Sequence, residues 1–127
     1  MNLLLDTHAL LWFYSGDTSL SSKAKEAVKN VENTCFISVA SLWEVTIKYN
    51  LGKLDLTDSL EVFFEFIERN QINILQIEFH HLLKLSGLPH IHKDPFDRII
   101  IAQSVAENLV VITKDGFFDE YQVAVLW

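Results

Sequence analysis

The sequence predicts an α/β fold with a mostly parallel sheet of about five strands. Short apolar runs without alternation, such as LLL at 3–5 and LVVIT at 109–113, are typical of strands buried on both faces of a parallel sheet. Segments in which apolar residues have helical spacing lie between these runs, as expected for strands joined by crossover helices. A length of 127 residues suits one hydrophobic core, so we expect a single domain over residues 1–127.

The first strand ends in an acid, Asp6, within the opening stretch MNLLLDTH. Ligands of open α/β sheets bind at the carboxyl ends of the strands, so Asp6 is a candidate active-site carboxylate. It is also well placed to cap the helix predicted over 8–14. A turn over 15–18, a helix over 23–31 and a strand over 34–39 are predicted next.

A helix predicted over 40–54 follows the second strand and carries another acid, Glu44. Ser38 or Ser41 can cap this helix, and Gly52 is a natural end for it. With Ser41 as the cap, Glu44 occupies the third position of a capping box. Glu44 is alternatively a second carboxylate at the strand ends, and the two interpretations are compatible.

The C-terminal half alternates in the same way, and an acid lies at the start of one helix and after one strand. Helices are predicted over 59–70, over 78–86 and after Asp94, and strands over 72–77, 109–113 and 123–127. Because proline is favoured at the first helical position, Asp94 is the predicted N-cap of its helix and Asp97 lies in the first turn. The strand over 109–113, predicted to be central, runs into Asp115, whose pairing with Gly116 is also a common turn signal.

Composition narrows the class of protein. Hydrophobic residues make up 50% of the chain and the only cysteine is Cys35, which argues against disorder and against a disulfide framework. No apolar run has the length of a membrane helix and the N-terminus lacks a signal-peptide pattern, so we expect a soluble cytoplasmic protein. The net charge of −7 indicates either that no nucleic acid is bound or that the activity depends on metal ions.

The positions of four acids favour the metal-dependent alternative. Because the carboxyl ends of parallel strands share one edge of a sheet, we expect Asp6, Glu44, Asp97 and Asp115 to converge there. Clustered carboxylates raise one another's pKa unless a cation neutralises them, and carboxylate oxygens suit Mg²⁺ or Mn²⁺. Such an ion activates water and stabilises charge on a phosphate, so the pattern indicates phosphodiester hydrolysis. The pairs His80-His81 and His90-x-His92 suggest a zinc site as an alternative. This alternative is weaker than the Mg²⁺ or Mn²⁺ site, because neither a cysteine pair nor an HExxH motif accompanies the histidines.

Four motifs together resemble the PIN-domain ribonucleases, and most closely the VapC-like toxins of type II toxin–antitoxin pairs. The motifs are LLLDTHALLW, SVASLWEV, HKDPFDRIIIAQ and VVITKDGFF, and they span almost the whole chain. The resemblance implies a three-layer α/β/α sandwich and hydrolysis of RNA by an endoribonuclease that depends on Mg²⁺ or Mn²⁺. It also implies a homodimer and inhibition by a small antitoxin protein that occludes the active site.

Carried over by position, the resemblance assigns Asp6, Glu44 and Asp97 as metal-binding catalytic acids and Asp115 as the more variable fourth acid. The remaining residues that it marks, all polar and close to these acids in sequence, are Thr7, Asp94, Arg98 and Thr113. By the same resemblance, Asp94 is either an alternative metal ligand or a residue that contacts the ligands without contacting the metal. Arg98 contacts phosphate or the antitoxin, or pairs with an acid.

Two other functions fit parts of the pattern. A phosphohydrolase of the haloacid-dehalogenase type also begins with an apolar strand ending in Asp, but it needs a second Asp where this chain has His8. A non-catalytic binding or scaffold protein of the same fold would use the acids only as caps and turns. Metal binding separates this second alternative from the nuclease.

Overall fold

The computed structural model describes all residues from Met1 to Trp127. The strands are β1 (Asn2–Leu5), β2 (Thr34–Ser38), β3 (Asn73–Leu75), β4 (Val110–Ile112) and β5 (Val125–Leu126). The helices are α1 (Thr7–Ser15), α2 (Ser22–Lys29), α3 (Val39–Asn50), α4 (Leu60–Arg69), α5 (Phe79–Ser86), α6 (Pro95–Glu107) and α7 (Phe117–Glu120). The five strands form one sheet in the order β3-β2-β1-β4-β5, and all neighbours are parallel.

Strand β1 lies in the middle of the sheet, between β2 and β4. Leu3, Leu4 and Leu5 are fully buried. Leu3 and Leu5 belong to one core cluster and Leu4 to another, because successive side chains of a strand point to opposite faces. The unbroken leucine run therefore marks a strand that is covered on both faces.

Helices cover both faces of the sheet, which confirms the three-layer α/β/α architecture. The first face is covered by α1 to α4 through the buried residues Leu10, Ala24, Val45 and Phe63. The second face is covered by α6 and α7 through Ile100, Ile101 and Phe118. None of the helices has the length and apolar character needed to cross a bilayer.

The parallel arrangement places the carboxyl ends of β1, β2 and β4 at one edge of the sheet. Helix α1 begins directly after β1, and α3 directly after β2, so both helices start at this edge. Helix α6 runs back over the sheet before β4 and therefore starts there as well. The candidate acids of the sequence lie at the ends of these strands or in these helices.

The start of α3 differs from the prediction. The strand predicted over 34–39 ends at Ser38, whose hydroxyl accepts a hydrogen bond from the Ala40 N–H at 3.1 Å and caps the helix. Ser41 therefore lies inside α3, and the predicted capping box with Glu44 is wrong. Glu44 lies in the second turn of the helix, with a side chain that is free for other contacts.

Two smaller differences concern the C-terminal third. Strand β1, rather than the strand predicted over 109–113, occupies the centre of the sheet, although β4 has a neighbour on each side. Helix α7 was not predicted, because its four residues are too few to show a helical period.

Candidate active site

Asp6 lies at the carboxyl end of β1, and its side chain joins two elements. Its Oδ1 accepts a hydrogen bond from the Ala9 N–H at 2.7 Å, which caps α1. Its Oδ2 accepts one from the Thr113 hydroxyl at 2.6 Å, just beyond β4. Asp6 is 6% exposed, and this burial raises its pKa, although both hydrogen bonds act in the opposite direction. Asp6 is thus both a helix cap and a buried acid at the sheet edge.

Asp115 is tied to Asp6 through Thr113. The Thr113 hydroxyl accepts a hydrogen bond from the Asp115 N–H at 3.0 Å while it donates to Asp6. Asp115 Oδ1 accepts from the Phe117 N–H at 2.9 Å, which begins α7. The negative charge of Asp115 raises the pKa of both Asp6 and Asp97, so the three carboxyl groups lie within electrostatic reach of one another.

Asp97 is positioned by the first turn of α6 and by a histidine. Asp94 Oδ1 caps the helix and accepts hydrogen bonds from the N–H groups of Phe96 and Asp97, at 2.8 and 3.0 Å. His92 Nδ1 accepts from the Lys93 N–H at 3.1 Å, so Nε2 carries the proton and donates to Asp97 Oδ2 at 2.8 Å. Burial raises the pKa of Asp97 to about 6, although the bond from His92 lowers it.

The three aspartates meet in one open cleft of about 370 Å³, which we call the carboxylate cleft. Its other lining residues are His8, Trp12 and Lys114. A larger cavity of about 580 Å³ lies at the amino-terminal ends of β2 and β3, away from these acids, and amide side chains dominate its lining. The chemistry of the lining therefore marks the smaller cleft as the candidate active site.

Glu44 lies beside this cleft but does not line it. Its Oε1 accepts a hydrogen bond from the Thr7 hydroxyl at 2.8 Å, and its Oε2 forms an ion pair with Lys48 at 2.9 Å. The Thr7 oxygen is also 3.0 Å from the Ser41 hydroxyl, which donates to it because the single Thr7 proton is used by Glu44. Thr7 follows Asp6 directly, so one residue connects Glu44 to the cleft.

Arg98 braces the loop that carries His92. Its guanidinium donates hydrogen bonds to the carbonyl oxygens of Pro89 and His92 and to the Tyr121 hydroxyl, at 3.0 to 3.3 Å. The Tyr121 hydroxyl in turn donates to the Pro89 carbonyl at 2.8 Å and accepts from the His92 N–H at 2.9 Å. Arg98 thus holds the loop next to Asp97 and forms no ion pair with an acid.

The model of the PIN domain family matches residues 3–124, which is nearly the whole chain. The chain belongs to the PIN domain family.

Solved structures support the fold of this PIN domain. It is similar to VapBC-1 from nontypeable Haemophilus influenzae, with a TM-score of 0.74, 16% identity and coverage of 98% of this chain and 96% of that one. It is also similar to VapBC2 from Rickettsia felis bound to a promoter DNA fragment, with a TM-score of 0.70, 17% identity and coverage of 98% and 97%. A toxin–antitoxin complex from Klebsiella pneumoniae gives a TM-score of 0.61, 22% identity and coverage of 89% and 86%. A search of curated protein sequences finds no significant match.

Sequence reasoning missed the residues that line or orient the carboxylate cleft of this PIN domain without being acids. His92 was considered only for zinc, yet it bonds to Asp97 and stacks on Phe117 with ring centroids 4.4 Å apart. His8 and Trp12 are four positions apart on α1, a spacing that puts both on one helix face. That spacing beside Asp6 is the signal that identifies them. Lys114 lies between two predicted site residues and carries no pattern of its own.

A second group of potential metal ligands lies away from the cleft, on α5 and α6. Glu78, His80, His81 and Glu107 have ligand atoms within 4.8 Å of one another. The buried His81 accepts a hydrogen bond from the Glu78 N–H at Nδ1 and donates from Nε2 to Glu107 at 2.8 Å. A cation at Nε2 would move the proton to Nδ1, against the Glu78 N–H, so this group stabilises the contact between α5 and α6 through hydrogen bonds.

Proposed function

We propose that the protein is a divalent-metal-dependent endoribonuclease that hydrolyses phosphodiester bonds of RNA and acts as the toxin of a toxin–antitoxin pair. The observation that carries this proposal is the meeting of Asp6, Asp97 and Asp115 in one cleft at the carboxyl edge of the sheet. Membership of the PIN domain family and the likeness to a toxin–antitoxin complex support it.

The donor set of the carboxylate cleft fits a hard divalent cation. The three carboxylates offer oxygen atoms as ligands, which hard cations prefer. Burial raises the pKa of Asp6 and Asp97, and a cation bound between them would offset this effect by stabilising the ionised carboxylates. Asp6, Asp97 and Asp115 would hold Mg²⁺ or Mn²⁺, with Glu44 as a further acid beside them. A divalent ion held there would supply an activated water molecule and would stabilise negative charge on the phosphate.

The protein's own groups orient the carboxylates for this reaction. The Thr113 hydroxyl fixes Asp6 Oδ2, and His92 fixes Asp97 Oδ2, which leaves Asp97 Oδ1 for a ligand. Thr7 and Lys48 hold both oxygens of Glu44, so its charge is already balanced. Lys114 is the one basic side chain among the residues of the cleft with an unshared positive charge, and it is suited to a phosphate oxygen of the substrate.

We further propose a small antitoxin protein as the regulatory partner and the cytoplasm as the location. One of the similar solved structures is a toxin–antitoxin complex. The net charge of −7 suits a basic partner segment that neutralises the carboxylate cleft.

We also expect a homodimer. Large apolar side chains are exposed on α3 and α5, with Trp43 63%, Phe79 86% and Leu83 73% accessible. Exposed apolar groups of this size are typical of interaction surfaces. Sedimentation equilibrium should give twice the chain mass of 14.6 kDa, and a value of 14.6 kDa at micromolar concentration would contradict the dimer.

The test of the proposed activity is cleavage mapping with the purified chain. A mixed RNA pool is incubated with Mg²⁺, with Mn²⁺ or with excess chelator, and the new ends are sequenced. We expect defined cleavage sites with either ion and none with chelator. Cleavage that persists in chelator would contradict the metal dependence.

The scaffold alternative predicts a different result in the same experiment. No cleavage under any condition, together with no heat of binding for Mn²⁺ by calorimetry, would identify a PIN fold that acts only through binding. Metal binding without cleavage of the RNA pool would instead exclude RNA as the substrate and retain the metal site.

A further inference from the structure

Glu44 is the one acid of the candidate site that is paired with a lysine. Its Oε2 lies 2.9 Å from the Lys48 ammonium, and its Oε1 accepts a hydrogen bond from the Thr7 hydroxyl at 2.8 Å. The three aspartates of the carboxylate cleft instead accept from backbone N–H groups, from the Thr113 hydroxyl and from the neutral imidazole of His92. Glu44 is therefore the only candidate acid whose charge is balanced by a permanent cation.

The ion pair is buried at Glu44 and accessible at Lys48. The Glu44 side chain is 9% exposed and the Lys48 side chain is 44% exposed. The two residues are four positions apart on α3 with the glutamate first, the order that favours a pair on a helix. A carboxylate withdrawn from water to this extent needs a counter-charge, because a buried charge without a partner is strongly destabilising. The fold therefore depends on a cation at this position.

Lys48 reaches Glu44 from a cleft of about 300 Å³ that shares two lining residues of α1 with the carboxylate cleft. Lys53 and Asp55 also line this second cleft, and their charges oppose each other. The Lys48 ammonium therefore occupies the place beside Glu44 Oε2 that a dissolved cation would need in order to bind this oxygen.

The charges of the carboxylate cleft suit one divalent ion when Glu44 is not available. Asp6, Asp97 and Asp115 together carry three negative charges when ionised, more than one Mg²⁺ or Mn²⁺ neutralises and fewer than two require. Nuclease sites that use two ions hold them about 4 Å apart, so a second ion would need Glu44 as a further ligand. The Lys48 ammonium both neutralises Glu44 and repels such an ion.

We propose that Lys48 is an intramolecular counter-ion of Glu44 that limits the carboxylate cleft to one divalent metal ion. This inference rests on the proposed metal-dependent function and adds to it the number of ions. The ammonium takes the place of a second cation and keeps Glu44 against Thr7, the neighbour of Asp6. Lys48 is thus a positioning residue, which acts on the metal through Glu44.

The test counts the Mn²⁺ ions that the purified protein binds without RNA. Isothermal titration calorimetry gives the stoichiometry, and electron paramagnetic resonance distinguishes an isolated Mn²⁺ from a magnetically coupled pair. We expect one isolated ion in the wild type. Lys48→Met removes the charge and keeps an unbranched side chain, so we expect two coupled ions in this variant. Lys53→Met removes an exposed lysine from the same cleft, is the matched control and should bind one ion.

A double variant removes the pair without leaving a buried charge. In Glu44→Gln/Lys48→Met the glutamine carbonyl can still accept from the Thr7 hydroxyl, and neutral replacement of both partners should preserve the fold. We expect one isolated ion with nearly wild-type affinity, because the ion does not depend on Glu44. A loss of about 10-fold or more, the range seen when a group that supports a metal site is lost, would overturn the inference even if Lys48→Met does not fold.

The outcomes separate this inference from the nuclease proposal. Two ions in the wild type, or one ion in a folded Lys48→Met protein, would overturn the inference and leave the nuclease proposal intact. One ion in the wild type and two in Lys48→Met, in a protein that cleaves no RNA, would support the inference and overturn the nuclease proposal alone. A wild-type protein that binds no Mn²⁺ would overturn both.

Discussion

At the residue scale, each of the three aspartates of the carboxylate cleft accepts at least one hydrogen bond that fixes its orientation. Asp6 accepts one bond on each oxygen, Asp97 accepts one from His92, and Asp115 accepts one from the N–H of Phe117. A carboxylate has about four lone-pair sites, so these bonds leave acceptor capacity for a cation. The acids are thus positioned before any ligand arrives.

The first prediction concerns Asp6→Asn. The asparagine carbonyl can still accept from the Ala9 N–H, so the fold should remain, while the lost charge removes a metal ligand. We expect RNA cleavage in Mn²⁺ to fall by about 100-fold or more, with an unchanged far-UV circular dichroism spectrum. Glu65→Gln, which removes an exposed acid of α4, is the matched control and should keep full activity. Activity of Asp6→Asn within a few-fold of wild type would remove Asp6 from the site.

The second prediction concerns pH and the metal-free protein. The pKa of Asp97 is about 6 in the fold and 3.8 as the reference value, so the folded state binds more protons between these values. The protonated carboxyl therefore favours the fold below pH 3.8, and this contribution is lost as the pH rises through 6. We expect the free energy of unfolding in chelator to fall by roughly 1–3 kcal/mol over this window.

The check is thermal unfolding of metal-free protein from pH 4.5 to 7.5. Asp97→Asn has no carboxyl group to titrate, so it should lose much of the decrease, whereas Asp119→Asn, which changes an exposed acid on α7, should retain it. A decrease of the same size in all three proteins would exclude Asp97 as its source.

The sequence predicted that four acids converge, and three of them line the cleft while Glu44 lies beside it. It did not predict which neutral and basic residues surround them. Asp6 and Asp115 follow apolar strands, so the rule for parallel sheets fixes their edge without any knowledge of side chains. His92 reaches Asp97 only because Arg98 and Tyr121 bend the loop back over α6. No periodic pattern encodes that bend, and for this reason the histidine was missed.

At the element scale, the first turn of α6 contributes both to the stability of the fold and to the position of a carboxylate in the cleft. Its N-cap, Asp94, bonds to the N–H of Asp97 and so fixes the turn that presents this carboxylate. Capping and ligand placement therefore depend on the same side chain. This explains why the DPFD stretch has two acids where the cap requires only one.

The third prediction is that Asp94→Ala lowers both stability and metal affinity. Loss of the cap should cost about 1 kcal/mol of unfolding free energy, and the loosened first turn should weaken Mn²⁺ binding. Chemical denaturation and calorimetry measure the two effects. Ser59→Ala removes the cap of α4, where the hydroxyl accepts from the Val62 N–H at 3.2 Å, and should lower stability only. Equal Mn²⁺ affinity in both variants would show that the Asp94 cap does not influence metal binding.

The predictability of the elements follows from their length and pattern. Strands β1, β2 and β4 could be predicted because short, unbroken apolar runs are typical of parallel strands that are covered by helices on both faces. The sequence left the cap of α3 open between Ser38 and Ser41 because both are equally good caps by residue type, and only the hydrogen bond from the Ala40 N–H identifies Ser38. Strand β3 is shorter than predicted because only 73–75 pairs with β2.

At the scale of the whole molecule, the acids gathered in the carboxylate cleft affect the stability of the fold. Repulsion among these clustered acids opposes folding, and a cation that bound only the folded state would reverse this effect.

The fourth prediction is therefore a metal-dependent melting temperature. At a Mn²⁺ concentration about 100 times the dissociation constant, the fold should gain about 2.7 kcal/mol and melt several degrees higher. Differential scanning calorimetry with and without chelator measures this shift. Asp6→Asn should lose most of the shift, and a variant that keeps it in full would show that the ion binds elsewhere.

The hydrogen bond between Thr113 and Asp6 joins positions 107 residues apart, and β1 pairs with β4 over a similar separation. During translation, Asp6 leaves the ribosome long before Asp97 and Asp115 have been polymerised. The proposed catalytic centre therefore cannot form on a nascent chain until almost all of it has emerged. Of the four candidate acids, a product that terminates before residue 94 carries only Asp6 and Glu44. Under the proposed function, aborted synthesis would therefore release no active nuclease beside the messenger RNA that encodes it.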